Sequence, residues 1–188
     1  KLQFLASIRD NTLRLQRLVE DLLDLSRLES GTWTATHDML SVSETAWEAW
    51  DMFREVAEGR EIGFVVEGDA EVVADRQALV QVFRNLMENS LRHTDDGGHI
   101  HVGVTLPAPG LAEIAFSDDG EGIPLRVLPR IFERFYRADS SRARDSGGTG
   151  LGLSIVRHLV GAMGGEAWAQ STLGEGTTIR FTVPVREA

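Results

Sequence analysis

The chain has 188 residues, enough to bury a hydrophobic core, and a formal net charge of -10 at pH 7. This acidic balance argues against a general nucleic-acid surface and against direct contact with an anionic membrane, because both partners select basic faces. The sequence contains no cysteine, which excludes disulfides and thiolate metal sites, and no apolar run approaches the roughly 18 residues that a membrane-spanning helix needs.

The opening stretch, residues 1–30, has the pattern of one long helix. Its apolar residues recur at helical spacing between Leu5 and Leu25, and Ser30-Gly31 ends the pattern. A helix of this length spans roughly 45 Å, too long for the edge of a small domain. It therefore predicts packing against partner helices, in a bundle or a coiled-coil seam, rather than only against its own domain. The pattern is already under way at the first residue, without an initiator methionine, so we expect a piece of a longer protein. Residues 32–40 break the pattern and predict a linker.

A second helix is predicted over residues 43–58, with Ser43 as its N-cap. Residues 62–66 and 72–74 then have the composition of two short strands. Gly68-Asp69 between them is typical of a tight turn, so the two strands are predicted to form a hairpin.

The next helix is predicted to begin after Asp75, its N-cap, and to bury the apolar residues between Leu79 and Leu91. Asn85 and Asn89 lie four residues apart on this helix and hence on one face. An amide beside apolar positions must find hydrogen-bond partners, so two of them are unusual in a plain core. They indicate either a polar site on this face or ordinary surface asparagines.

Two glycine clusters, 120–122 and 147–152, frame the centre of the chain. The first follows a predicted hairpin of strands 99–106 and 111–117, so that Asp118 stands at the carboxyl end of a strand, where functional residues concentrate. The second runs straight into a helical pattern. Free amide groups and the positive end of the helix dipole make such an N-terminus a seat for phosphate oxygens. A plain turn with a helix cap is the alternative explanation.

The remaining pattern predicts that this helix ends at Gly164-Gly165 and that a hairpin closes the chain. The hairpin strands are 166–171 and 177–185, around the turn 174–176. Helices are thus interspersed with antiparallel hairpins and do not alternate with single strands. This order is typical of an α+β fold, a two-layer α/β sandwich with its helices on one face of the sheet.

Five motifs, in this order, resemble the N, first glycine, F, second glycine and third glycine boxes of sensor histidine kinases. They are residues 85–94 (NLMENSLRHT), 118–124 (DDGEGIP), 132–137 (FERFYR), 148–153 (GTGLGL) and 174–177 (GEGT). The end of the opening helix, residues 18–31, also resembles the second helix of that family's dimerisation domain. The resemblance covers essentially the whole chain.

The resemblance implies a Bergerat-type ATP-binding fold, preceded by one long helix of a helical dimerisation domain. Residues 1–31 would be the second helix of the dimerisation and histidine phosphotransfer domain, which is therefore only partly present. Residues 32–40 would be a linker, and residues 41–188 the catalytic ATP-binding domain.

The resemblance also assigns roles to single residues. Asp118 matches the aspartate that reads adenine by accepting a hydrogen bond from its exocyclic amine, and Gly120 and Gly122 let the base lie against the backbone. Asn89 matches the magnesium ligand, an amide oxygen suited to Mg2+ that takes its other oxygens from ATP and water. Asn85 faces the same site. The full implied ATP-binding set is Asn85, Asn89, Arg92, His93, Asp118, Gly120, Gly122, Ile123, Arg137, Gly148, Thr149, Gly150, Leu151, Gly152, Leu153 and Thr177.

Within this set, the glycines at 148, 150 and 152 match the phosphate loop. Arg137 and residues 138–147 match a mobile lid over the nucleotide, and their polar composition suits a lid. Arg92 replaces the more usual lysine and can contact phosphate with its forked donors.

The sequence departs from the family pattern at two further places. His93 stands where an aromatic tyrosine is common, so stacking on adenine is expected to be weaker and pH-dependent. The five histidines are His37, His93, His99, His101 and His158, and none lies on the opening helix, so the phosphoacceptor histidine is missing. His99 and His101 share a strand face but are expected to be surface residues rather than metal ligands.

The implied function is binding of Mg-ATP and, in the intact homodimeric protein, transfer of the γ-phosphate to a histidine of the dimerisation domain. That histidine would pass the phosphoryl group to an aspartate of a response regulator receiver domain. The family also suggests a cytoplasmic portion of a membrane-anchored protein. One alternative is an ATP hydrolase of the gyrase and chaperone type, although Glu88, the nearby carboxylate, lies about 100 degrees round the helix from Asn89. Another is a dimerising module whose nucleotide site has decayed.

Overall fold

A computed structural model describes residues 12, 15–16, 18–19, 22–23, 26, 35–137 and 149–185. The described positions between 12 and 26 are helical, whereas the rest of the predicted opening helix lies outside the described residues. Most of the predicted lid, with Gly148, also lies outside them. Among the residues that are described, no helix is both long and apolar enough to cross a membrane.

From Asp38 onwards, seven strands, four α-helices and one 3-10 helix make up the described part of the chain. In order they are β1 (Asp38–Ser41), α1 (Val42–Asp51), α2 (Arg54–Gly59), β2 (Gly63–Glu67), β3 (Glu71–Ala74), α3 (Arg76–His93), β4 (His99–Ala108), β5 (Leu111–Asp118), the 3-10 helix (Leu128–Arg130), α4 (Gly152–Ala162), β6 (Ala167–Thr172) and β7 (Gly176–Pro184). Five strands form one sheet in the order β2-β4-β5-β7-β6, and β1 and β3 form a small second sheet. The strand pairs β4–β5, β5–β7 and β6–β7 are antiparallel.

The core lies between the large sheet and the helices, where α3 packs between α1 and α4. Phe83 of α3 is fully buried, with its ring centroid 6.5 Å from that of Phe116 on β5 and 5.9 Å from that of Phe181 on β7. Along β5 the buried residues alternate with half-buried ones, as expected for a strand that turns one face to the core. The predicted two-layer α+β architecture is confirmed.

Asp75 caps α3, as predicted, and it also fastens the segment that leads into β1. Its Oδ1 accepts a hydrogen bond from Ala78 N at 2.9 Å, and its Oδ2 accepts from Thr36 N at 3.0 Å and Thr36 Oγ1 at 3.1 Å. Burial of the carboxyl group opposes ionisation, but these hydrogen bonds outweigh it, and the pKa of Asp75 lies below its usual value.

The predicted hairpin of β2 and β3 is wrong. β2 pairs in parallel with β4, while β3 pairs with β1 in the other sheet. The connection crosses β4 closely at Gly68, which has φ +80° and where a Cβ would lie 2.5 Å from Val104 O. Asp69 then accepts hydrogen bonds from Ser43 N and Ser41 Oγ, which holds the connection at the start of α1. The glycine therefore lets the chain pass from one sheet to the other and does not form a hairpin turn.

Three local predictions around α1 also need correction. The N-cap is Ser41, whose Oγ accepts from Glu44 N at 3.1 Å, whereas Ser43 uses its own N–H on Asp69. The helix predicted over 43–58 is two helices, interrupted at 52–53. Strand β1 occupies the end of the predicted linker, where Leu40 is its only buried residue, too weak an apolar pattern to predict a strand.

Candidate functional site

The C-terminal half of α3 meets the end of β5 at Asp118. Ser90 Oγ donates a hydrogen bond to Asp118 Oδ2 at 2.6 Å, a length typical of a hydroxyl bound to a carboxylate. Gly120 N donates to the other oxygen, Oδ1, at 3.2 Å. Each carboxylate oxygen thus has a donor from the chain, and the orientation of the group is fixed from two directions.

Close approach of backbones requires the glycines that follow Asp118. A Cβ at Gly120 would lie 2.4 Å from His93 O, at the end of α3. Gly122 has φ +69°, and a Cβ there would lie 2.1 Å from Thr172 O, at the end of β6. The resemblance assigns these glycines to contact with a base, and the structure gives them a further role in packing the loop against α3 and the β6–β7 hairpin.

The same loop is tied to the β6–β7 hairpin by hydrogen bonds. Gly174 N donates to Glu121 O at 2.8 Å, and Ile123 N donates to Ser171 Oγ at 2.7 Å. Ser171 Oγ lies 3.0 Å from Thr177 Oγ1, which brings the predicted residues Ile123 and Thr177 to one hydroxyl. Sequence reasoning missed Ser171, although its position opposite Thr177 in the predicted hairpin was the available signal.

Asn85 is 8% exposed, and its Nδ2 has no hydrogen-bond partner among the described residues. An unpaired amide in a buried position costs about 1–3 kcal/mol. The side chain faces the start of α4, because a Cβ at Gly152 would lie 3.6 Å from Asn85 Oδ1. Asn89 lies one turn further along the same face of α3 and is half-buried.

The N-terminus of α4 lies beside this amide. In the described part of the chain no side chain caps the helix. Thr149 Oγ1 accepts a hydrogen bond at 3.2 Å from Leu151 N, which lies one residue before the first residue of the helix. The first-turn N–H groups of α4 are therefore suited to an anionic acceptor. Gly150 has φ +74° and its O accepts from Phe135 N at 2.9 Å, which joins this turn to the F motif.

Two basic residues at the end of α3 have carboxylate partners. Arg92 Nη2 lies 3.1 Å from Glu88 Oε1, one turn earlier, and a guanidinium keeps further donors for a second acceptor. His93 Nδ1 lies 2.7 Å from Glu121 Oε1, and both side chains are about half exposed. The pair places His93 beside the glycine loop.

The other predicted site residues are less informative. Leu151 is fully buried beneath the start of α4, and Leu153 is half-buried in its first turn. Arg137 is the last described residue before the predicted lid.

His99 and His101 each have one carboxylate neighbour. His99 Nδ1 lies 3.2 Å from Asp119 Oδ2, and His101 Nε2 lies 3.2 Å from Glu67 Oε2. These pairs are on the surface, and the described residues contain no group of three or more histidine, aspartate or glutamate side chains that could hold a metal ion.

Residues 74–187 match the family model of the histidine kinase-, DNA gyrase B- and HSP90-like ATPases. The chain is 35% identical over 98% of its length to the sensor histidine kinase WalK of Bacillus subtilis and 33% identical over 97% to the sensor protein kinase WalK of Staphylococcus aureus. It spans 31% and 44% of those two relatives, and less than a third of most of the others.

Solved structures of similar fold include the mycobacterial sensor histidine kinase MprB, with 27% identity and a TM-score of 0.70. The match covers 81% of this chain and the whole of that one. Full-length ShkA in complex with AMPPNP has a TM-score of 0.84 at 24% identity, over the whole of this chain and 39% of that one.

Proposed function

Because the chain belongs to the family of histidine kinase-, DNA gyrase B- and HSP90-like ATPases, we propose that it binds Mg-ATP between α3, the loop after β5 and the start of α4. It would contribute the catalytic domain of a longer sensor histidine kinase. There it would present the γ-phosphate to a histidine of the dimerisation domain, and that histidine would pass the phosphoryl group to an aspartate of a response regulator receiver domain.

One observation carries the proposal: within the described part of the chain, the amide of Asn85 has no partner and lies beside the N-terminus of α4, which has no side-chain cap there. Both features leave N–H donors without an acceptor among the described residues, and phosphate oxygens are the acceptors that such a pair suits. Further along α3, beside Ser90, Asp118 offers an oriented acceptor for the exocyclic amine of adenine. Gly148, Thr149, Gly150 and Leu153 would complete the phosphate end, with Arg137 at the root of the lid.

The residues present also fit magnesium bound together with a nucleotide. Mg2+ keeps several water ligands and takes oxygens from phosphates, so a single amide oxygen from Asn89 suffices and a cage of carboxylates is unnecessary. When bound, the ion would neutralise charge on the phosphates during transfer. Arg92 would donate to phosphate with the guanidinium nitrogens that Glu88 does not occupy. The contribution of this domain to the reaction would therefore be positioning and charge neutralisation.

The opening segment supports the wider division into domains. At its described positions Leu15, Val19, Leu22 and Leu23 are helical and between 44% and 63% exposed. An exposed apolar stripe of this kind is typical of an interface. We assign residues 1–31 to a dimerisation helix, 32–40 to a linker whose last residues belong to strand β1, and 41–188 to the catalytic domain. The intact protein would be a homodimer in which these residues lie in the cytoplasm beneath a membrane anchor.

Calorimetric titration with a non-hydrolysable ATP analogue, with and without magnesium, tests the nucleotide site. The parent chain should bind, Asp118→Asn should lose binding, and Asn89→Ala should lose the dependence on magnesium. Asp96→Asn, in an exposed ion pair with Arg60, is a matched charge-removal control and should bind like the parent. A parent chain that binds no nucleotide would overturn the proposal and leave a dimerising scaffold.

Phosphotransfer is tested separately by adding the upstream helix. The 188-residue chain should show no ATP-dependent labelling of histidine, and the longer chain should show it. Labelling of the shorter chain would contradict the proposed division of roles.

A further inference from the structure

Ser90 is 4% exposed and lies on α3, one residue after Asn89. Its hydroxyl has one hydrogen, and the hydrogen bond to Asp118 Oδ2 at 2.6 Å uses it. The bond joins two elements that are 28 residues apart in sequence. Helix α3 therefore holds the carboxylate of Asp118 directly, through one of its own side chains.

Apart from Ser90, the one side-chain or backbone donor to the Asp118 carboxylate among the described residues comes from its own loop. The second oxygen, Oδ1, accepts from Gly120 N at the longer distance of 3.2 Å. The backbone of Asp118 is held within the sheet, because this residue pairs with Ile100 of β4 and with Thr177 of β7. The remaining freedom is rotation of the carboxylate, and the Ser90 hydroxyl is the shorter of the two hydrogen bonds that prevent it.

The arrangement also determines what chemistry the pair can recognise. With its hydrogen committed to Asp118, Ser90 Oγ has only lone pairs left to offer, as do the carboxylate oxygens. A ligand amine can donate to this cluster of acceptors, whereas a ligand carbonyl oxygen would face them without a hydrogen between. The cluster is thus selective for a donor.

We propose that Ser90 is a positioning residue that sets the selectivity of the site for a purine with a 6-amino group, by holding the carboxylate of Asp118. This inference rests on the proposed ATP site and adds a determinant on α3 that acts through Asp118. Loss of the hydroxyl leaves Asp118 in place but lets its carboxylate rotate, so the preference for the amine falls while the rest of the site is kept.

The test compares three nucleotides of equal phosphate chain by calorimetry: the non-hydrolysable ATP analogue, its counterpart without the 6-amino group, and its guanine counterpart. In the parent chain the amine should strengthen binding roughly tenfold, the value of one well-made hydrogen bond to a charged group. In Ser90→Ala the advantage should fall to roughly threefold or less, through weaker binding of the adenine compound alone. Ser90→Thr, which keeps the hydroxyl, should restore the parent ratio.

Thr45→Val is the matched control, because Thr45 is also a buried helical hydroxyl, donating to Ser41 O at 2.8 Å in α1. It should lower the thermal midpoint like Ser90→Ala without changing the nucleotide ratios. Should Ser90→Ala not fold, Ser90→Cys keeps the side-chain size with a weak donor and should show the same loss of selectivity. Equal weakening of all three nucleotides, or an unchanged ratio, would overturn the inference while leaving the ATP site intact. Failure of the parent to bind any of them would instead refute the proposed function and this inference with it.

Discussion

At the Asp118 end of the candidate site the polar groups are paired with other groups of the chain. At the Asn85 end, hydrogen-bond donors have no acceptor among the described residues. Asp118 has Ser90 and Gly120 as partners, and the loop that follows is tied to the β6–β7 hairpin. Asn85, beside the start of α4, has an amide nitrogen with no partner in the part of the chain that the structure describes. In the proposed complex, a rigidly held carboxylate would accept a hydrogen bond from the amine of the base. The charged phosphates would accept hydrogen bonds from donors that are otherwise unpaired. The two ends should therefore respond differently to mutation.

The largest expected effect comes from breaking the rigid end with Gly122→Ala. A Cβ there would meet Thr172 O at 2.1 Å and the residue would keep φ +69°, so we expect a loss of about 3 kcal/mol in the free energy of unfolding. Gly174→Ala is the matched control, since it has φ +85° and open space around the Cβ. It should cost only about 1 kcal/mol. Urea denaturation of both variants measures the difference, and equal costs would show that the close approach to β6 is unimportant.

The open end is tested by Asn85→Leu, which replaces the amide by an apolar group of similar size. We expect binding of the ATP analogue to weaken roughly thirtyfold and the free energy of unfolding to rise by about 1 kcal/mol, because a buried unpaired amide is removed. Asn89→Leu should give no such stabilisation, since that side chain is only half-buried. Calorimetry and urea denaturation supply the two values. A destabilised Asn85→Leu would mean that the amide already has a partner within the protein.

Helix α3 carries both ends, and Asp75→Ala removes its N-cap. The expected cost at neutral pH is about 1–2 kcal/mol, from loss of the bonds to Ala78 and Thr36. Because the folded pKa of Asp75 is depressed, its contribution is complete above the unfolded value of about 3.9 and is lost as the pH falls through the folded value. The difference between parent and variant in urea should thus be constant from pH 7 to about pH 5 and narrow below pH 4. A difference that grows in acid would contradict this assignment.

The smallest effect is expected for Glu88→Gln at the phosphate end. Its pairing with Arg92 is a partly exposed contact within one helix, worth about 0.3–0.5 kcal/mol. We expect no change in ATP turnover, because Glu88 pairs with Arg92 and does not activate a water molecule for attack on ATP. ATP hydrolysis by the parent chain that disappears in Glu88→Gln would instead favour a hydrolase of the gyrase type.

The elements that carry the site could be predicted from sequence because their patterns are long. Helices α3 and α4 show sustained helical periodicity, and the pairs β4–β5 and β6–β7 are hairpins with clear turns. The predicted order of these elements and the faces that they turn to the core were confirmed. The recognition of the family was confirmed as well. The β2–β3 hairpin was wrong because Gly68-Asp69 suits both a tight turn and a crossing between sheets, and only the contact with Val104 distinguishes them.

Side chains that act across elements were harder to find. Ser90 reads as an ordinary buried helical residue until its distance to Asp118 is known, and Ser171 becomes informative only through the register of β6 with β7. Hydrogen bonds of this kind depend on the relative placement of two elements, which periodicity within one element does not determine. Motifs of glycine and asparagine, by contrast, show within a single stretch that a backbone or an amide has an unusual task.

The hydrogen bonds between Thr36 and Asp75 connect the segment before β1 to helix α3. They lie at the start of this 18-residue helix, which is about 27 Å long and holds Ser90 against Asp118 near its other end. Residues 35–38 are therefore tied to the start of α3 by the Thr36–Asp75 hydrogen bonds and to β3 by the pairing of β1 with β3. The middle of α3 is in turn fixed on the large sheet, where Phe83 packs against Phe116 of β5 and Phe181 of β7. One helix thus links the segment that enters β1 to the residue that orients the Asp118 carboxylate.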